Sequence, residues 1–88
     1  MLYDKIVKTT NVYLGPAAER FIARQVQSHI DKPPEELTKD DLKKLIDWIL
    51  VAVSLLTDDG ELIEEYISEL RKLSSDDKPG RGNQRKLL

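Results

Sequence analysis

The sequence predicts an all-α fold, a small four-helix domain with short connections and a flexible C-terminal tail. Three observations predict it. Apolar residues recur at three- and four-residue spacing through most of the first 73 positions. Capping and breaking residues stand where those periodic stretches start and stop. Finally, the one stretch rich enough in β-branched residues to read as a strand finds no partner strand elsewhere. At 88 residues there is room for one domain.

Residues 2–14 place Leu2, Tyr3, Ile6, Thr10, Tyr13 and Leu14 on one helical face. Ile6, Val7, Thr9, Thr10 and Val12 would also tolerate an extended chain. With no second strand to pair, helix is the better reading. Gly15-Pro16 is a break, because Gly suits a helix end and Pro a helix start. A second helix over 16–30 then sets Ala18, Phe21, Ile22, Val26 and Ile30 against Arg20, Arg24 and Gln27. Asp31-Lys32-Pro33-Pro34 ends it, and Pro34-Glu35-Glu36-Leu37 is suited to a single helical turn.

The third helix, over 39–56, carries the strongest signal. Thr38-Lys39-Asp40-Asp41 has the form of a capping box, with Asp in place of the stronger Glu or Gln. Leu37 and Leu42 bracket it as a hydrophobic staple, and Leu42, Leu45, Ile46, Ile49, Val53 and Leu56 share one face. Thr57-Asp58-Asp59-Gly60-Glu61 then turns the chain, with Asp58 as the expected cap of a fourth helix over 60–73. Leu62, Ile63, Tyr66, Ile67, Leu70 and Leu73 form its apolar stripe. The short link makes it an antiparallel neighbour of the third.

The chain holds 14 Lys/Arg and 16 Asp/Glu. Four of the cations, Lys78, Arg81, Arg85 and Lys86, fall in residues 78–88, which hold no acid. Residues 1–77 therefore carry ten cations against sixteen acids, a balance of −6. From Ser74 to Gln84 there is no apolar residue to offset ordering entropy, so the domain is assigned to 1–74 and the tail to 75–88. An acidic body disfavours a broad phosphate-binding face. Zero Cys excludes disulfide and thiol chemistry and fits a reducing cytosol, so a cytoplasmic location is expected. The longest apolar run, Trp48 to Val53, is too short to span a bilayer, and the first residues lack a signal-peptide pattern.

One stretch has more apolar surface than a lone domain needs. In residues 48–56 only Ser54 is polar. At 100° per residue, Ile49, Leu50, Val53 and Leu56 take one side, and Trp48, Val51, Ala52 and Leu55 the other. Two readings stay open. Either the other helices cover both sides, or Trp48, Val51 and Leu55, with Tyr66, form a partner-binding surface.

Chemistry has few candidates. His29 is the sole histidine and reads as a packed or edge side chain, with no local metal or catalytic pattern around it. Asp58-Asp59-Gly60-Glu61 fails the EF-hand test: with Gly60 at position six, Leu55 and Tyr66 would occupy positions one and twelve. Glu64 and Glu65 point to different helix faces. Tyr3, Tyr13 and Tyr66 read as core side chains with the hydroxyl at the edge. No catalytic residue, metal or cofactor is expected, and the chain is read as a non-enzyme.

The segment Tyr13-Leu14-Gly15-Pro16-Ala17-Ala18-Glu19-Arg20-Phe21-Ile22-Ala23-Arg24 resembles a Leu-Gly-Pro-x-Ala stretch. That stretch opens small helical modules attached to prokaryotic signalling proteins, including some serine/threonine kinases. The resemblance covers about a dozen residues and includes no catalytic kinase segment. It implies an accessory or docking module and assigns no site. The expected function is thus protein–protein docking, with self-association into a homodimer through the third helix. Its partner would be a second copy or another protein. The alternative is a small nucleic-acid-associated regulator using Arg20, Arg24, Arg81, Arg85 and Lys86 as anion contacts.

Overall fold

The computed structural model describes residues 1–75, and four α-helices account for most of them. These are α1 (Leu2–Leu14), α2 (Ala18–His29), α3 (Lys39–Leu56) and α4 (Gly60–Ser74), with 3-10 turns at Gly15–Ala17 and Pro34–Glu36. Among the described residues there is no strand, so the fold is all-α. The basic stretch expected as a tail, with Arg81, Arg85 and Lys86, lies outside the described residues.

The expectation of four separate helices is corrected in one respect. Helical turns follow one another from residue 2 to residue 29 with no loop between them, so there are three long helical stretches rather than four. The reason is local. Gly15 adopts φ 68°, a left-handed conformation that glycine enters without a steric penalty. Pro16 then sits in the first turn of the 3-10 segment, where its fixed φ suits a helical start. The chain therefore bends sharply without a loop, and α2 begins at Ala18 rather than at Pro16.

Each helix packs against two others: α1 on α2 and α4, and α3 on α2 and α4. The core lies inside this ring. Ile6, Ile22, Leu42, Leu45, Ile49, Val53, Tyr66 and Leu70 are fully buried there. The molecule is 19 Å across its thinnest direction, about two helix diameters. Each helix consequently has one face inside the ring and one outside it. That geometry decides the fate of α3's second apolar side.

The start of α3 is held from two directions. The Asp41 N–H donates to Thr38 Oγ1 at 3.1 Å, and Asp41 Oδ2 accepts the Thr38 N–H at 3.1 Å. The capping box is therefore complete, although its third position is Asp. Asp41 Oδ2 also accepts from Lys32 Nζ at 2.8 Å, which ties the α2–α3 connection to the helix. The Lys32 hydrogen bond, aided by those of Thr38, holds the Asp41 carboxyl below its ordinary range despite partial burial. Leu37 and Leu42 are both in the core, as a staple requires. At α4 the cap differs from expectation. Asp59, not Asp58, precedes the helix, and its Oδ1 accepts the Leu62 N–H at 3.2 Å. The Asp59 N–H in turn donates to Thr57 Oγ1, which positions it for that role.

Candidate functional site

Burial separates the two sides of α3. Leu42, Leu45, Ile46, Ile49 and Val53 face inward and are sealed. On the other side Trp48 is 49% exposed, Val51 57% and Leu55 83%. Large exposed apolar side chains among the described residues otherwise comprise Met1, Val12 and Leu56, so α3 carries most of them. The surface that the sequence left undecided is open to solvent. Trp48, Val51 and Leu55 follow one another by three and four residues, the repeat that keeps side chains on one line of a helix. Lys44, exposed and four residues before Trp48, extends that line toward the helix start. Together the four occupy an arc of roughly 60°.

Two side chains depart from expectation. Tyr66 does not belong to this surface. It is fully buried, and its hydroxyl lies 2.7 Å from Thr10 Oγ1. The Thr10 hydroxyl donates to the Ile6 carbonyl at 2.8 Å, so its single hydrogen is used and Tyr66 must be the donor to Thr10. Burial pushes the Tyr66 phenol up to about 12. Its ring also lies against Tyr13, with centroids 5.3 Å apart and planes tilted by 41°. Tyr66 is thus a core side chain whose hydroxyl is satisfied inside rather than at the edge. Leu56, expected on the inner face, is the last residue of α3 and is 62% exposed.

His29 takes a role that sequence spacing does not reveal. It is the last residue of α2, and its ring stacks on Trp48 with centroids 4.1 Å apart and planes 4° from parallel. The stack covers one face of the indole and holds the ring in place on the surface. The two residues are 19 apart in sequence on different helices, so helical periodicity carries no sign of the contact. Lys44 did carry a signal, in its spacing to Trp48, although apolar patterning passes over a lysine.

The expected anion contacts are divided. Arg20 and Arg24 are exposed one turn apart on α2 and line a groove together with Leu14, Ala17, Phe21 and Leu56. Arg81, Arg85 and Lys86 are outside the described residues. Among the described residues no three His, Asp or Glu side chains converge as a metal set, and no helix is long and apolar enough to cross a membrane.

Compared with protein-family models, with curated proteins and with solved structures, the chain has no match.

Proposed function

We propose that this chain is a non-enzymatic helical docking module that presents the Trp48–Val51–Leu55 line of α3 to an apolar surface, with a second copy of itself as partner. The observation that supports this reading is the placement of three exposed large apolar side chains on one line of a helix whose opposite side is sealed. Scattered exposed leucines are ordinary on a protein surface; an ordered line of them, centred beside a stacked tryptophan, suits a binding anchor.

Magnitudes set the strength of such a contact. Burying the exposed part of three side chains on each of two copies yields roughly 5–9 kcal/mol. Association costs about 4–15 kcal/mol in lost rigid-body freedom. At the favourable ends of both ranges about 5 kcal/mol remains, so the pairing is weak and reversible, with a dissociation constant on the order of 0.1–1 mM. The alternative, nucleic-acid binding through Arg20, Arg24, Arg81, Arg85 and Lys86, sets those few cations against residues 1–77 with a balance of −6.

Sedimentation equilibrium from about 10 µM to about 1 mM tests the proposal directly. Average mass should rise toward that of a dimer. Leu55→Glu should abolish the rise while leaving helical circular dichroism and the melting midpoint unchanged. A strictly monomeric chain across that range overturns self-association, and so does a Leu55→Glu variant that pairs as well as the parent.

A further inference from the structure

Resting on that self-association, the geometry points to an antiparallel pairing of two α3 helices about a two-fold axis. Lys44 of each copy would meet Asp58 of the other, and this pair of charges would select the orientation.

Charged side chains of opposite sign stand at the two ends of the apolar line. Lys44 continues the line at its amino-terminal end. Asp58 is exposed two residues beyond the carboxy-terminal end of α3. The midpoint of the line, with Trp48 and Leu55 equidistant from it, falls between Val51 and Ala52. At 1.5 Å per residue, Lys44 lies about 11 Å from that midpoint along the axis. Asp58 stands two residues past the end of α3, where the backbone at Thr57 is extended, and so lies at most roughly 13 Å from it on the other side.

A two-fold rotation about the midpoint therefore sets Trp48 against Leu55 of the second copy and Val51 near its Ala52. It also brings Lys44 within side-chain reach of the opposite Asp58, twice over. The large indole then meets a leucine rather than a second indole. A parallel pairing in register does the reverse, with Lys44 against Lys44 and Asp58 against Asp58. Unlike charges at opposite ends of an apolar line are what an antiparallel self-complement needs.

The flanking charges pose the competing arrangement. Lys43 has Asp40 on its own helix at 3.9 Å. Asp47, exposed beside Trp48, has no charged counterpart in the antiparallel arrangement, since it falls near Leu56 of the second copy. In a parallel pair staggered by part of a turn, Asp47 would instead be the natural partner for Lys44. The two arrangements thus assign Lys44 to different acids.

Charge reversal distinguishes them in the full chain. Neither side chain has a capping role: the α4 cap is Asp59, and the α3 cap is built from Thr38 and Asp41. Lys44→Glu and Asp58→Lys should each keep the fold, as checked by circular dichroism. Each should weaken self-association about tenfold, because two exposed attractive pairs become two repulsive ones. The Lys44→Glu/Asp58→Lys double variant should return to the parent's affinity.

Single variants that associate like the parent overturn the antiparallel assignment. So does rescue of Lys44→Glu by Asp47→Lys in place of Asp58→Lys, which would establish the parallel pair. The hydrophobic control separates this inference from the reading it rests on. If Leu55→Glu abolishes pairing and the charge variants have no effect, docking stands and only the orientation falls. A parent chain that remains monomeric removes both.

Discussion

The two sides of α3 have nearly the same chemistry and opposite environments. Inward, Ile49 and Val53 are wholly removed from water; outward, Val51 and Leu55 lie open. Both sides are aliphatic, both belong to one helix, and neither differs in local propensity. What differs is the ring. With α2 and α4 as neighbours and a thickness of about two helices, the fold covers one side of α3 and leaves the other open apart from His29 on Trp48. The comparison teaches that hydrophobicity of a helix sets how much apolar surface must be accommodated, while the number of packing partners sets where it goes.

That contrast can be broken most forcefully from the inside. Ile49→Ala should destabilise the domain by about 2–5 kcal/mol, a large part of the stability of a domain this small. Urea unfolding would measure it, and a loss under about 1 kcal/mol would mean that the inner face is not the core. Thr10→Val comes next. It leaves the buried Tyr66 hydroxyl without its acceptor and should cost about 1–3 kcal/mol in the same assay. Tyr66→Phe should cost less, since Thr10 keeps its bond to the Ile6 carbonyl.

Asp41→Asn should cost about 1–2 kcal/mol at neutral pH by weakening the capping box and the Lys32 contact. Because the Asp41 carboxyl is held below its ordinary range in the folded chain, its contribution is present above the unfolded value. It is lost as pH falls through the folded value. The gap between parent and variant should therefore close on acidification below about pH 4, measured by melting at successive pH values. A gap that persists at pH 2 would assign the effect to something other than this carboxylate. Leu55→Glu, on the outer face, should move stability least, within about 0.5 kcal/mol, while having the largest effect on association. Inner and outer faces would then differ in which measurement each one moves.

Much of this fold could be read from spacing and caps. The α3 boundaries follow from Thr38 and the apolar period, since capping and amphipathicity act over a few residues and leave a local trace. The turn at Gly15-Pro16 and the single turn after Pro33 are local for the same reason. The sequence does not reveal the helical continuity through that first turn, because a Gly-Pro pair reads equally as a gap and as a tight bend. The choice of Asp59 over Asp58 as a cap depends on one residue of backbone geometry. Two adjacent aspartates before a helix do not reveal it.

Of the outer line of α3, three side chains were legible in the sequence, but not their exposure. Trp48, Val51 and Leu55 were identifiable by their position opposite Ile49 and Val53. Tyr66 was misplaced because an apolar stripe shows that a residue faces inward or toward a partner without distinguishing the two. Its buried bond to Thr10 joins residues 56 apart.

By itself, the sequence determined the helical class, the start of α3 at its Thr38 cap and the excess of apolar side chains in α3. Those properties arise from interactions between residues a few positions apart. Only the tertiary structure decided which side of α3 met water, that Tyr66 closed the core, and that His29 lay flat on Trp48. These depend on which helices share an edge in the ring, and no period of three or four residues records that arrangement.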